Sequence, residues 1–256
     1  MKYLILKFFR KLFPATFWKL YTKSQNNNEE SKYLISLCDE INATKSFVEF
    51  GFGVFEFNSV SLAQRGYKGL VLDGDVKSCR LANLIFKRLK LDVKALRHWI
   101  EIKSLDPIVD FVSSLGGKIG VLNVDIDGND YWILKELLKK ISPEVICVEH
   151  NASFGLRSIS TPYKQGFIRH NEHQSGLYHG ASITAFYNLL QSNYFLVKNI
   201  AGVNLVYVKK DKMTDRLIAL SCDKAWSEPH LRNKWSGTNT KQQWDKIKDL
   251  KYISID

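Results

Sequence analysis

The stretch Gly120-Val121-Leu122-Asn123-Val124-Asp125-Ile126-Asp127-Gly128-Asn129-Asp130-Tyr131-Trp132 passes from a short apolar run into three acids and a glycine. A strand buried on both faces delivers the residues that follow it to its carboxyl end, and in an open α/β sheet that edge is where ligands bind. Asp125 and Asp127 therefore stand at a ligand-binding edge, and Asp130 is placed either with them or at the start of the next helix, where a carboxylate is favoured. A second run of this kind lies upstream in Ser46-Phe47-Val48-Glu49-Phe50-Gly51-Phe52-Gly53, which reads as a strand, an acid and a glycine turn. Glycine at 51 and 53 removes the Cβ and admits positive φ, so a ligand can approach the backbone around Phe52 beside a helix start rich in free N–H groups.

A dinucleotide fingerprint asks for a third glycine three residues on, for close helix packing. Position 56 is Glu56, which counts against a dehydrogenase. Downstream of Glu49 comes Gly69-Leu70-Val71-Leu72-Asp73-Gly74-Asp75, a strand that ends where a ribose diol needs a carboxylate acceptor. Asp73 is the candidate for that role, Gly74 makes the turn, and Asp75 is the reserve.

Strand-Glu49-x-Gly51-x-Gly53, Gly69 to Gly74, Asp125-Ile126-Asp127-Gly128-Asn129-Asp130-Tyr131-Trp132 and Val148-Glu149-His150-Asn151-Ala152-Ser153-Phe154-Gly155 together resemble class I S-adenosylmethionine-dependent methyltransferases, nearest to the FkbM-like group. The similarity spans about residues 45 to 208, and the Asp-Gly-Asn-Asp-Tyr-Trp block is its most specific part. The resemblance implies a Rossmann-like sheet with a closing antiparallel hairpin and S-adenosylmethionine as cofactor. It assigns Glu49, Gly51, Phe52 and Gly53 to the first cofactor motif, Asp73 and Gly74 to the ribose, and Asp125 and Asp127 to the edge near the methyl group and the acceptor. His98-Trp99-Ile100-Glu101 falls where the family holds adenine. His150 stands where its relatives more often carry Tyr.

Methyl transfer from a sulfonium needs alignment and, for a hydroxyl acceptor, a general base. Asp127, His150 and His179 are the candidates for that base. The polar segment Asn151 to Gly180 carries His170, His173 and His179 with Arg157, Arg169, Tyr163 and Tyr178, and is read as an acceptor-binding lid. A Mg²⁺ ion on Asp125, Asp127 and Asp130 with His150 or Asn151 is an option the spacing permits but does not favour. The expected acceptor is a glycan or other small polar molecule, on family analogy. An RNA methyltransferase and a non-catalytic scaffold are the alternatives.

The formal net charge of +11 is concentrated at the two ends of the chain. Residues 1–23 contribute +6 and residues 209–256 contribute +4, which leaves +1 for the segment that carries the motifs. No basic groove flanks the expected site, and a polymeric nucleic acid is disfavoured. Ile5, Phe8, Phe9 and Leu12 share one helical face opposite Lys7, Arg10 and Lys11, so residues 1–23 read as a basic amphipathic arm. Such a face docks either on an anionic membrane or on the protein itself. Four cysteines without paired spacing point to reduced thiols and to the cytoplasm, at a membrane's inner face if the arm docks there.

Residues 24–31 are polar and read as a linker, residues 32–210 as the methyltransferase domain, and residues 211–256 as an extension that packs on it. Within the domain the pattern predicts helix 32–43, strand 46–50, helix 55–66, strand 69–73, helix 77–89, strand 92–96, helix 105–115, strand 119–124, helix 130–140 and strand 144–149. A helix at 182–191 and a hairpin of 194–199 with 203–209 follow. This alternation predicts a parallel sheet with helices on both faces.

Overall fold

The computed structural model describes residues 12–18, 29–54 and 57–256. A seven-stranded sheet runs in the order β3-β2-β1-β4-β5-β8-β7. Its strands are β1 (Ser46–Phe50), β2 (Lys68–Asp73), β3 (Val93–Arg97), β4 (Val121–Val124), β5 (Val145–Glu149), β7 (Tyr194–Ile200) and β8 (Asn204–Lys209). β1 to β5 are mutually parallel, while β8 pairs antiparallel with β5 and β7 antiparallel with β8. This is the parallel sheet that the alternation predicts, in the Rossmann-like form with a closing antiparallel hairpin that the resemblance implies. The order reverses between β1 and β4, and a crevice at such a reversal is the ligand position of doubly wound sheets.

The side-chain period of two splits each strand between two cores. Val48, Phe50, Leu122, Val124, Ile146 and Val148 join one core with helices α4 (Asp106–Ser114), α5 (Asp130–Leu137) and α7 (Ile183–Leu190). Phe47, Val71, Val121, Val145 and Cys147 join the other with α1 (Glu29–Glu40) and α3 (Val76–Leu89). Each fully buried aliphatic or aromatic side chain contributes roughly 1.5–3 kcal/mol. Glu49, Asn123 and Cys147 lie in register on the α1 side, so a polar row crosses an otherwise apolar face.

Two helix starts differ most from the sequence reading. α1 begins at Glu29, inside the expected linker, because Glu30 is buried and accepts a hydrogen bond from Asn204 Nδ2 at 3.1 Å. The helix expected at 55–66 is only α2 (Val60–Gln64). The backbone N–H groups of Asn58 and Ser59 donate to the carboxylate of Glu49 at 3.0 and 2.7 Å, which holds residues 58–59 as a turn ahead of the helix.

Of the amphipathic arm, residues 1–11 and 19–23 lie outside the described residues. Trp18 is fully buried, donates from Nε1 to the Val54 carbonyl at 2.8 Å and meets Phe86 edge-on, so this part of the arm packs on the domain. Among the described residues, no helix is long and apolar enough to cross a membrane. The described cysteines are all free thiols.

The remaining elements are β6 (Ile159–Ser160), α6 (Arg169–Glu172), α8 (Cys222–Ala225), α9 (His230–Ser236), α10 (Thr240–Asp245) and β9 (Ile253–Ser254). β6 and β9 pair antiparallel. Phe154, Leu177, Tyr178 and Ile247 form a third small core, so residues 211–256 are bound to the segment that follows β5.

Candidate functional site

Above the carboxyl ends of β1, β2, β4 and β5 lies a cavity of about 370 Å³, within the size range of small-molecule sites. Gly51, Asp73, Gly74 and Trp99 form one wall, and Asp125, Asp127, Asn129 and Glu149 form the other. Phe167 covers the second wall, its ring packed where a Cβ on Gly128 would stand.

The first wall follows from strand-end chemistry. Gly51 has φ +69°, and a Cβ there would fall 1.5 Å from the carbonyl oxygen of Asp125, so only glycine lets β1 turn this close to β4. Asp73 sits at the tip of β2 and accepts from the Asp75 N–H at 2.6 Å. Burial raises its pKa above the ordinary carboxylate value. Asp75 is instead the N-cap of α3, accepting from the N–H groups of Lys77 and Ser78 at 3.1 and 3.0 Å. That removes it as the alternative ribose acid. Trp99 lies over Gly74, is half exposed and lines the cavity, an aromatic side chain available to a planar ligand.

The second wall is acidic and densely tied. Asp125 is held well above its ordinary pKa, first by burial and then by the charges of Glu149, Asp130 and Asp127. Asp127 takes a left-handed backbone, φ +55°, which for a non-glycine residue is strained. Asp130 is buried and opens α5, and its two oxygens accept from Ile126 N–H and Gly128 N–H at 2.8 Å each. It fixes the turn and has no oxygen turned to the cavity. Glu149 lines the cavity and is pushed up to about 7 by burial, against the lowering effect of Arg232.

Distant segments complete this wall. Arg169 pairs with Asp127, and Arg232 Nη2 donates to Glu149 Oε1 at 3.0 Å. His179 is buried, with Nδ1 3.9 Å from Glu149 Oε2. Burial, with Arg169 and Arg232 nearby, lowers its pKa well below the ordinary value, so the imidazole is neutral. The segment 151–180 closes over the cavity because Asn129 exchanges hydrogen bonds with the Lys164 backbone and Glu101 accepts from Gln165 Nε2 and Gly166 N–H.

Several candidates stand apart from the cavity. Glu49 is buried beneath the turn with its carboxylate committed to residues 58–59, and burial raises it to about 7. Its place is to hold the loop that Gly51 starts. Phe52 is a core residue packed edge-on to Phe57, and Gly53 follows it without lining the cavity. His150 is fully buried, donates from Nδ1 to the Val203 carbonyl at 2.8 Å and is lowered to about 4 by desolvation. It pins β5 to β8 and does not reach the cavity. Arg157 stacks on Trp244 at 4.1 Å and Tyr178 donates to the Lys251 carbonyl, so both anchor residues 211–256 rather than an acceptor. His173 is held by Ser175.

The cation set that the spacing permits does not assemble. Asp130 and His150 are committed as described, and Asn151 donates to the carbonyls of Leu177 and His179 while accepting from Ser153 N–H. Asp127, Glu149 and His179 come together instead, each with one ligand atom, all within 4.8 Å of one another. Glu149, part of the Val148 to Gly155 motif but given no role by it, and Arg232 are the site residues that sequence reasoning misses. The acid at the end of the Val145–Val148 run is the same signal that singled out Asp125, whereas nothing local marks Arg232.

No protein-family model matches the chain, and no curated protein does. Solved structures with similar folds include the O-methyltransferase from Bacillus cereus in complex with SAH, at 15% identity over 80% of this chain and 97% of that one, TM-score 0.45. A S-adenosylmethionine-dependent methyltransferase from Clostridium acetobutylicum aligns at 12% identity over 81% and 98%, TM-score 0.46. The N-terminal domain of EvdMO1 with SAH bound aligns at 13% identity over 71% and 80%, TM-score 0.44.

Proposed function

We propose that the chain is an S-adenosylmethionine-dependent methyltransferase acting on an oxygen of a small polar or glycan-type acceptor. The observation that supports this most is the cavity at the strand-order reversal, with a strand-tip carboxylate and an aromatic face on one wall and an acid-lined pocket on the other. The first wall fits an adenosyl group. Asp73 offers carboxylate oxygens to the ribose diol, Trp99 offers a face to adenine, and the Gly51 backbone leaves room for the amino-acid end. When bound, the cofactor supplies an activated methyl group and a neutral sulfide leaving group.

Glu149 then becomes the leading candidate for general base, in place of His150. Its pKa of about 7 lets it receive a hydroxyl proton near neutrality, and it faces the cavity. Arg232 stabilises the ionised form, and Asp127, held by Arg169, orients the acceptor at the rim. Phe167 and the segment around it exclude water from above. The neutral motif segment disfavours RNA as acceptor.

Calorimetric titration with S-adenosylmethionine and S-adenosylhomocysteine, with NAD as control, tests the reading. Micromolar binding of both adenosyl ligands and none of NAD is expected. A folded sample that binds neither would reject it in favour of a scaffold.

A further inference from the structure

We propose that Asp127, Glu149 and His179 form a binding site for a divalent first-row transition-metal ion. A bond of about 2.1 Å places two ligand atoms of one ion roughly 3.0 to 4.2 Å apart, depending on the angle between them. Glu149 Oε2 and His179 Nδ1, 3.9 Å apart, are already at that spacing, and the set of three spans no more than 4.8 Å.

A second observation is independent of the clustering. Glu149 Oε2 and His179 Nε2 are buried without a hydrogen-bond partner, in residues only 8% and 1% exposed. Orphaned atoms of this kind are costly, and Glu149 Oε2, which faces His179 Nδ1 at 3.9 Å, calls for a partner there. Arg232 does not occupy the orphaned oxygen of Glu149. Arg232 holds Glu149 by Oε1 and Arg169 holds Asp127 by Oδ1, so each guanidinium fixes its carboxylate and leaves the second oxygen available.

One imidazole nitrogen with two carboxylate oxygens suits Mn²⁺, Fe²⁺, Co²⁺ or Zn²⁺ better than Mg²⁺ or Ca²⁺, which favour all-oxygen shells. Asp127 and Glu149 also line the cavity, so the remaining coordination positions face it. An acceptor oxygen bound there would be oriented and made more acidic by the ion, with Glu149 then serving as a ligand instead of the general base. That use rests on the methyltransferase reading; the site itself does not.

The test is titration of the chelator-stripped full chain with Mn²⁺, following the free ion by electron paramagnetic resonance. A saturable stoichiometric site with micromolar affinity is expected. Asp127→Asn and His179→Ala should each weaken it by at least about tenfold. His179 is buried and its replacement risks the fold, so the half-exposed Asp127, checked by near-ultraviolet circular dichroism, is the decisive variant. No saturable binding by the folded chain, or unchanged affinity in Asp127→Asn, would overturn the proposal. Asp73→Ala should bind Mn²⁺ like the parent while losing adenosyl binding, so failure of the metal site and failure of the methyltransferase reading give different results.

Discussion

The two walls of the cavity are built in different ways. The wall at β1 and β2 consists of residues 51, 73, 74 and 99, each within a turn of its own strand end, and it needs only parallel register to assemble. The wall at β4 and β5 combines the turn 125–130, the end of β5, Arg169 and His179 from the covering segment, and Arg232 from α9. A nucleoside-type subsite can thus be written in short local motifs. An acidic subsite needs counter-charges, and tertiary structure brings these in from wherever they fit.

Substitutions test this contrast, and the greatest effect is expected where the walls meet. Gly51→Ala places a methyl on the Asp125 carbonyl at a left-handed φ, and should lower stability by about 4 kcal/mol, read as a fall in denaturant midpoint, with loss of all ligand binding. Unchanged stability would mean that the walls are not rigidly joined.

Next comes Glu30, buried in α1 against Asn204 and Cys147. Burial raises Glu30 from 4.5 to about 7, so between those values the folded chain keeps a proton that the unfolded chain releases. Its stabilising effect is complete below pH 4.5 and is lost as pH rises through 7. Glu30→Gln keeps an acceptor for Asn204 and should stabilise by up to about 3 kcal/mol at pH 8 with little change at pH 5. Equal effects at both pH values would show that Glu30 titrates normally.

The remaining effects belong to the first wall alone. Asp73→Ala should weaken S-adenosylhomocysteine binding about 100-fold by removing two charge-assisted hydrogen bonds, with an unaltered melting temperature. Trp99→Ala should cost about tenfold, the scale of one stacked base. If Trp99 proves neutral and Asp73 does not, the ribose is held here and the base lies elsewhere.

The same division explains what the sequence disclosed. Alternating apolar runs and strand-end acids were enough for the sheet, its order of elements and the positions of Asp73, Asp125 and Asp127, because burial and period act locally. Glu49 looked like a ligand contact and is a loop anchor, since a strand-end acid has the same local pattern whether it faces a cavity or a neighbouring N–H. His150 and His179 are equally polar residues in similar surroundings by sequence. The His150 ring bonds the Val203 carbonyl and the His179 ring lies beside Glu149, a difference of side-chain direction that spacing does not encode. Arg232 carries no local signal because its meaning depends wholly on a buried carboxylate elsewhere.

The Glu149–Arg232 pair joins residues 83 apart. During synthesis at 5–20 residues per second, roughly 4 to 17 s separate the appearance of the acid from that of its counter-charge. Over that interval Glu149 exists without Arg232, and the second wall is completed only after α9 arrives. The nascent chain therefore acquires its nucleoside subsite before its acidic one, and the order of translation separates the two halves of the cavity in time as the fold separates them in space.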